Sequence, residues 1–138
     1  MDEVFLLARI LFVYLIIGSA VGHLTQTAAM AGYAEARGVK PGALMVQISG
    51  VALLAGGVSV LLGIWGDIGA LGLAVLMVVT AVMMHAFWKE TDPMAKQTEM
   101  VAFNKDIALA GGALALFVLL ALPGDTPYTL TDALVSWY

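Results

Sequence analysis

Four long runs of apolar residues, separated by polar stretches, dominate the chain. They cover about residues 4–22, 43–65, 68–87 and 103–122. Each is close to the ~20 residues that an α-helix needs to cross the core of a bilayer. None alternates apolar and polar residues as the strands of a membrane β-barrel do. The pattern therefore predicts an all-α integral membrane protein built as a four-transmembrane-helix bundle.

The connections between these runs differ in length. Gly66 and Asp67 predict a tight hairpin between the second and third helices, whereas the first and third connections are longer and more polar. Pro93 is expected to begin a helix, because proline suits a first helical turn. Residues 1–122 are thus expected to form one transmembrane domain, and residues 123–138 a polar, interfacial C-terminal tail.

The basic residues predict the orientation of the helices. Loops rich in lysine and arginine stay in the cytoplasm. The opening "MDEVFLL" lacks the basic start of a signal peptide, so we expect the first helix to be retained. Both termini and the hairpin are then expected outside the cytoplasm, with Trp137 and Tyr138 placed like interfacial aromatics. The first and third connections, on the opposite side, hold Arg37, Lys40, Lys89, Lys96 and Lys105.

The composition agrees with a protein whose solvent is lipid. Hydrophobic residues make up 62% of the chain and charged residues 12%, about half the usual charged share. A globule of 138 residues has too much surface to bury such a surplus. The net charge of −4 argues against nucleic acid as a partner. Without cysteine, the chain has no thiolate nucleophile and no thiol to carry sulfur.

Polar and ionisable residues collect at the cytoplasmic ends of all four predicted helices. Such groups are costly at membrane depth, so they normally face the bundle interior or a water-filled cavity. The sequence therefore predicts a polar pocket in the cytoplasmic half of the bundle. Its candidate residues are His23, Gln47, His85, Trp88, Asn104, Lys105 and Asp106.

These residues also allow plainer interpretations. His23 and His85 can be interfacial residues bonded to water and headgroups, and Lys105 and Asp106 can be a solvated helix start. Two histidines alone are a weak signal for haem, which we do not expect. A quinone site or a proton relay suits histidine better, since imidazole titrates nearest to neutral pH. Arg9 is expected to extend its charge to the membrane surface, with a buried partner across the bundle as the alternative.

Glycines recur along every apolar run, beginning with the GxxxG spacing in "GSAVG". Small residues allow membrane helices to approach closely, so we interpret them as packing positions. The methionines are interpreted as gap-fillers, and no metal site is predicted. The main packing candidates are Gly18, Gly22, Gly56, Gly57, Gly111 and Gly112.

Several phrases of the sequence resemble the DoxX family of small bacterial four-helix membrane proteins. These phrases are "HAFWKETDP" from His85, "FNKDIALAGGALAL" from Phe103, and "GVALLAGGVSVLLG" from Gly50. The likeness extends over about residues 8–120. Asp106 stands where the family phrase usually has asparagine, and the family's frequent acid in the second helix is missing.

The resemblance implies a multi-pass protein of the bacterial cytoplasmic membrane, associated with redox and sulfur chemistry and related to subunits of a thiosulfate:quinone oxidoreductase. We therefore expect a redox-linked accessory or anchor subunit of a larger membrane complex, not catalytic alone, whose pocket contacts quinone or a small substrate. Its expected partners are the lipid bilayer and other membrane subunits or further copies of itself. A purely structural accessory subunit is the alternative, and a component of small-solute transport is less favoured.

Overall fold

A computed structural model describes residues 1–122 and 126–135 of the chain. Over these residues the protein is helical and has no strand. Four of the helices are long and apolar enough to cross a membrane, which confirms the predicted all-α bundle of four transmembrane helices. Trp137 and Tyr138 lie outside the described residues. The helices are α1 (Asp2–Thr25), α2 (Thr27–Ala36), α3 (Gly42–Leu62), α4 (Gly66–Met84) and α5 (Pro93–Ala121), with a 3₁₀ turn at Phe87–Lys89.

Each spanning helix packs mainly on the next spanning helix along the chain. Helix α1 packs on α3, α3 on α4, and α4 on α5, while the short helix α2 packs on α3. Small and branched apolar side chains, including Ile16, Val60 and Leu73, fill the centre of the bundle. Other large apolar residues, such as Leu11 and Val75, remain exposed on its outer faces. This outer surface contacts the lipid bilayer.

The bundle has two chemically distinct ends. The long-connection end carries α2 and the 3₁₀ turn, which lie between α1 and α3 and between α4 and α5. The hairpin end carries residue Met1, the tight turn between α3 and α4, and residues 126–135. Gly63 ends α3 in the left-handed region at φ 64°, and its carbonyl accepts a hydrogen bond from the amide of Thr131 at 3.1 Å.

Helix α5 begins well before the apolar run that predicted it. Pro93 occupies its first turn, as expected, and the Asp92 side chain caps it by accepting a hydrogen bond from the amide of Ala95 at 2.7 Å. The first turns of α5 therefore add a polar segment to the membrane-spanning part. This extension brings Glu99 to the long-connection end.

The expectation for Arg9 is wrong, because its side chain is 0% exposed and lies inside the hairpin end. One guanidinium nitrogen donates to the carbonyl oxygens of Leu61 at 2.7 Å and Tyr128 at 2.6 Å. The other donates to the carbonyl oxygen of Pro127 at 3.2 Å. Backbone carbonyls near the end of α3 and in residues 126–135 accept its hydrogen bonds, so the buried charge is satisfied within the protein.

Asp67, at the same end of the bundle, is a buried acceptor for backbone amides. Its carboxylate is 0% exposed and accepts hydrogen bonds from the amides of Leu134 at 2.9 Å and Val135 at 2.7 Å. Residues 126–135, which we call the C-terminal strap, are thus fixed to the bundle by Arg9 at one end and by Asp67 at the other.

The predicted packing glycines fall into two groups. A methyl group at Gly56 would lie 2.7 Å from Leu73 Cγ, and one at Gly57 would lie 3.1 Å from Ile17 Cγ1, so both positions need glycine for close helix contact. At Gly22 and Gly112 the nearest atoms lie at ordinary contact distances of 3.4 and 3.5 Å. A methyl group would meet nothing within 4 Å at Gly18 and Gly111, which therefore mediate no close approach within this chain.

Candidate functional site

Glu99 is the centre of a hydrogen-bonded cluster at the long-connection end. Only 9% of the residue is exposed. Its carboxylate accepts hydrogen bonds from the Tyr33 hydroxyl at 2.8 Å and from an Arg37 guanidinium nitrogen at 2.8 Å. His85 Nδ1 lies 2.8 Å from the second carboxylate oxygen. One carboxylate therefore joins α2, the end of α4 and the extension of α5.

His85 also faces a second carboxylate of α5. Its Nε2 lies 3.6 Å from Asp106 Oδ2, slightly beyond hydrogen-bond distance. Asp106 is only 4% exposed and contacts Lys105 Nζ through its other oxygen at 3.5 Å. The imidazole thus stands between an interfacial carboxylate, Glu99, and a carboxylate inside the bundle.

The local sequence explains how three chain segments reach this cluster. Glu99 and Asp106 are seven residues apart, so they share the buried face of α5, which continues through Ala110 and Ala113. Helix α4 ends at Met84, and the amide of His85 donates back to the carbonyl oxygen of Ala81. The helix end places the imidazole beside that face of α5.

The Tyr33 hydroxyl is held firmly in its protonated form. Burial and the hydrogen bond to Glu99 raise the pKa of Tyr33 to about 12, while the positive charge of Arg37 opposes this shift. Arg37 also forms an ion pair with Glu90, which follows the 3₁₀ turn. The neutral phenol and the guanidinium supply donors to Glu99 at the membrane boundary.

A small, partly enclosed space with several polar side chains in its walls lies on the membrane side of this cluster. It has a volume of about 90 Å³ and is bounded by residues of α1, α3, α4 and α5, so we call it the inner cavity. A water molecule takes about 30 Å³ of liquid, so the inner cavity has room for a few. Its polar walls are Ser19, His23, Ser49, Thr80, Lys105 and Asp106.

A second, larger space of about 250 Å³ adjoins the inner cavity. We call it the lateral pocket, because α2, α3 and α4 enclose it and it is open on one side. Its walls are mostly apolar and include Met45, Met83 and Met84. The two spaces share the side chains of His23, Ser49, Leu76 and Thr80.

His23, which lines both spaces, has one ring nitrogen that can act as an acceptor. Its Nδ1 donates a hydrogen bond to the Ser19 carbonyl oxygen at 2.8 Å, since a carbonyl can only accept. In the neutral ring Nε2 then carries the lone pair, and no hydrogen bond to it forms among residues 1–122 and 126–135. A ligand hydroxyl is a suitable donor for this nitrogen.

The predicted pocket residues divide into two sets. His85, Lys105 and Asp106 form one contact chain, and His23 joins Lys105 and Asp106 around the inner cavity. Trp88 packs in an aromatic cluster with Phe87 and Phe103 and lines neither space. Gln47 and Asn104 are exposed and also line neither space.

Sequence reasoning missed three residues of the cluster, namely Tyr33, Arg37 and Glu99. Glu99 could have been found, because it lies on the same helical stripe as Asp106 once α5 is extended back to Pro93. Tyr33 and Arg37 lie on the short helix α2 or at its end, in a connection with no clear apolar pattern. Their placement depends on how α2 folds against α3.

The comparison with protein families agrees with this architecture. The model of the DoxX family matches residues 4–86, which is more than half of the 138 residues. The chain belongs to the DoxX family. The DoxX match covers α1 to α4 and ends one residue after His85, so Glu99 and Asp106 lie beyond it. No curated protein and no solved structure matches the chain.

DoxX membership and the four apolar helices together establish a multi-pass membrane protein in contact with the bilayer. The glycine-rich phrase of α3 lies within the matched region, whereas most of the phrase that begins at His85 does not. The polar cluster of this DoxX protein therefore combines family-matched helices with a fourth spanning helix outside the match.

Proposed function

We propose that this protein is a redox-linked accessory subunit of a membrane complex and that its lateral pocket holds the ring of a quinone. The pocket is the single feature that carries the proposal. It opens on one side, has apolar walls, and ends on polar side chains shared with the inner cavity. This is the polarity pattern of a site for an apolar ring with polar substituents.

The dimensions support a small ring system rather than a large cofactor. A volume of about 250 Å³ lies near the lower limit of small-molecule pockets. An isoprenoid tail would leave through the open side into lipid. His23 Nε2 supplies an acceptor for a quinol hydroxyl, and the Ser49 hydroxyl, which donates to the Val46 carbonyl at 2.9 Å, keeps lone pairs for a second.

The protein's role in such a complex is to bind and position, since the chain lacks cysteine and cannot carry sulfur. Electrons would come from a partner subunit. A quinone supplies two-electron chemistry coupled to protons when it is bound, and the residues of the pocket hold its oxygen atoms and exclude bulk water.

Quinone analysis of the purified protein tests this proposal. Protein extracted in a mild detergent should retain about one quinone per chain, measured by solvent extraction and mass spectrometry. Ser49→Phe should fill the shared wall and abolish retention, because Ser49 lines both spaces.

Gly72→Leu is the matched control. Gly72 lines a different apolar groove between α3 and α4, and a methyl group there would meet nothing within 4 Å. This variant should retain quinone as the wild type does. Quinone-free wild-type protein, or equal loss in both variants, would contradict the proposal.

We also propose the bacterial cytoplasmic membrane as its location, with the long-connection end in the cytoplasm. The concentration of Arg37, Lys40, Lys89 and Lys96 at that end supports this orientation. Arg9 does not weaken it, because its charge is buried against backbone carbonyls. A tag on the C-terminus should be cut by protease outside intact cells; a protected tag reverses the orientation.

A purely structural accessory role is the second candidate. The three side chains that contact Glu99 favour it, because they fasten α2, the end of α4 and α5 to one another. In that case, Ser49→Phe should leave both quinone content and the yield of any co-purified complex unchanged. Mild-detergent purification followed by identification of the associated subunits distinguishes the two roles.

A further inference from the structure

We propose that His85 passes protons between Glu99 at the membrane boundary and Asp106 in the inner cavity. The two ring nitrogens face the two carboxylates, at 2.8 Å from Glu99 and 3.6 Å from Asp106. No other described side chain bridges this pair. The arrangement extends from the partly exposed Tyr33 hydroxyl to a cavity large enough for a few water molecules.

The two acids lie at different depths, so the relay connects the long-connection end with the interior of the bundle. Glu99 lies beside α2 and the end of α4 at the long-connection end. Asp106 lies two turns further along α5 and forms part of the wall of the inner cavity. Ionisable groups at such depth typically belong to ion or proton paths.

The transfer balances without any additional reagent. A protonated Glu99 gives its proton to His85 Nδ1 while Nε2 gives its proton to the Asp106 carboxylate. One N–H bond forms and one breaks, so the imidazole changes tautomer, no electron moves and net charge is conserved. The gap of 3.6 Å at Nε2 must close by a small rotation of the ring or of the carboxylate before this step.

Charged neighbours on every adjoining element act on this relay. Arg37 stabilises the ionised form of Glu99 from the end of α2, and Glu90 shares Arg37. Lys105 stabilises ionised Asp106 from α5 itself. The groups that face the relay are Tyr33, Arg37, Glu90 and Lys105, with His23 of α1 across the inner cavity.

This inference rests on the proposed function in one respect: the proposed quinone is the group that would consume the proton, because its reduction takes up protons. The relay itself needs no quinone. It can therefore fail while quinone retention persists, and quinone retention can fail while the relay persists.

A proton jump in quinone-free detergent solution tests the relay. Protons are released by light from a caged acid, and time-resolved infrared absorption follows the carboxylic band of Asp106, assigned by its loss in Asp106→Asn. In His85→Gln the band should rise about 100-fold more slowly than in the wild type, the size typical of a removed proton-transfer group. Glu99→Gln should also slow it, because it removes the first acid.

Glu3→Gln is the matched control, since it makes the same chemical change at an exposed glutamate of the hairpin end, away from the relay. Its rate should equal that of the wild type. If His85→Gln does not give a monodisperse folded protein, Glu99→Gln decides the outcome alone. Unchanged rates in the decisive variants, or equal slowing in Glu3→Gln, would overturn the proposal.

Discussion

Glu99 and His85 are in direct contact, with Glu99 Oε2 2.8 Å from His85 Nδ1. This contact links the extension of α5 beyond the apolar run to the end of α4. The same carboxylate binds Tyr33 and Arg37, so it also fixes α2 across the long-connection end. One acid of α5 therefore ties α2, which lines the lateral pocket, to the end of α4.

Removal of that acid should destabilise the protein measurably. Glu99→Ala leaves donors of Tyr33 and Arg37 without their acceptor, which should cost about 2 kcal/mol in the free energy of unfolding. The thermal midpoint in detergent measures the effect. Glu90→Ala removes a more exposed carboxylate and should cost clearly less; equal losses would contradict the central place of Glu99.

Tyr33 should titrate well above the ordinary pKa of a tyrosine. Its pKa is about 12 in the folded protein against an ordinary value of 10.0. Between these values only the unfolded chain releases this proton, so the contribution of Tyr33 to stability is complete below about pH 10 and is lost as pH rises towards 12. Ultraviolet difference absorbance should show a late tyrosinate phase that disappears in Tyr33→Phe. A late phase that persists in that variant contradicts the assignment.

The C-terminal strap should separate from the bundle when its buried anchors are removed. Arg9→Met leaves the carbonyl oxygens of Pro127 and Tyr128 without their donor, and Asp67→Ala does the same to the amides of Leu134 and Val135. Hydrogen exchange of residues 126–135, followed by mass spectrometry, should accelerate in both variants.

Asp132→Ala is the control for the strap, because Asp132 is exposed within the same segment. It should leave hydrogen exchange unchanged. Protection of the strap that survives both Arg9→Met and Asp67→Ala would show that other contacts, such as the amide of Leu130 bonded to the Leu62 carbonyl, suffice to hold it.

The two groups of glycines should respond differently to a large side chain. Gly56→Leu should unfold or rearrange the α3–α4 contact, because even a methyl group there would collide with Leu73. Gly111→Leu should fold normally, since a methyl group at Gly111 would meet nothing within 4 Å. If Gly111 faces a partner subunit, its variant should keep the folded monomer yet lose complex yield. Size-exclusion profiles and co-purification separate these outcomes.

The apolar runs predicted the spanning helices because membrane helices need long uninterrupted segments, and they could do so without any knowledge of tertiary contacts. Of the polar residues proposed from the sequence as a pocket, His85, Lys105 and Asp106 contact one another. The prediction for Arg9 was wrong because its acceptors are backbone carbonyls of segments distant in sequence. A pattern of side chains cannot indicate such acceptors. Glu99 was missed because the helix expected from Pro93 was not joined to the fourth apolar run, whereas in the structure the two form one continuous helix, Pro93–Ala121.

Photo-affinity labelling in native membranes tests the central claim most directly. A quinone analogue with a photoreactive ring should label the lateral pocket, with modified peptides containing Met45, Met83 or Met84, and excess unmodified quinone should suppress the label. Ser49→Phe should remove it while Gly72→Leu keeps it. Labelling spread over the lipid-facing residues of all four spanning helices, insensitive to excess quinone and to Ser49→Phe, would contradict the account.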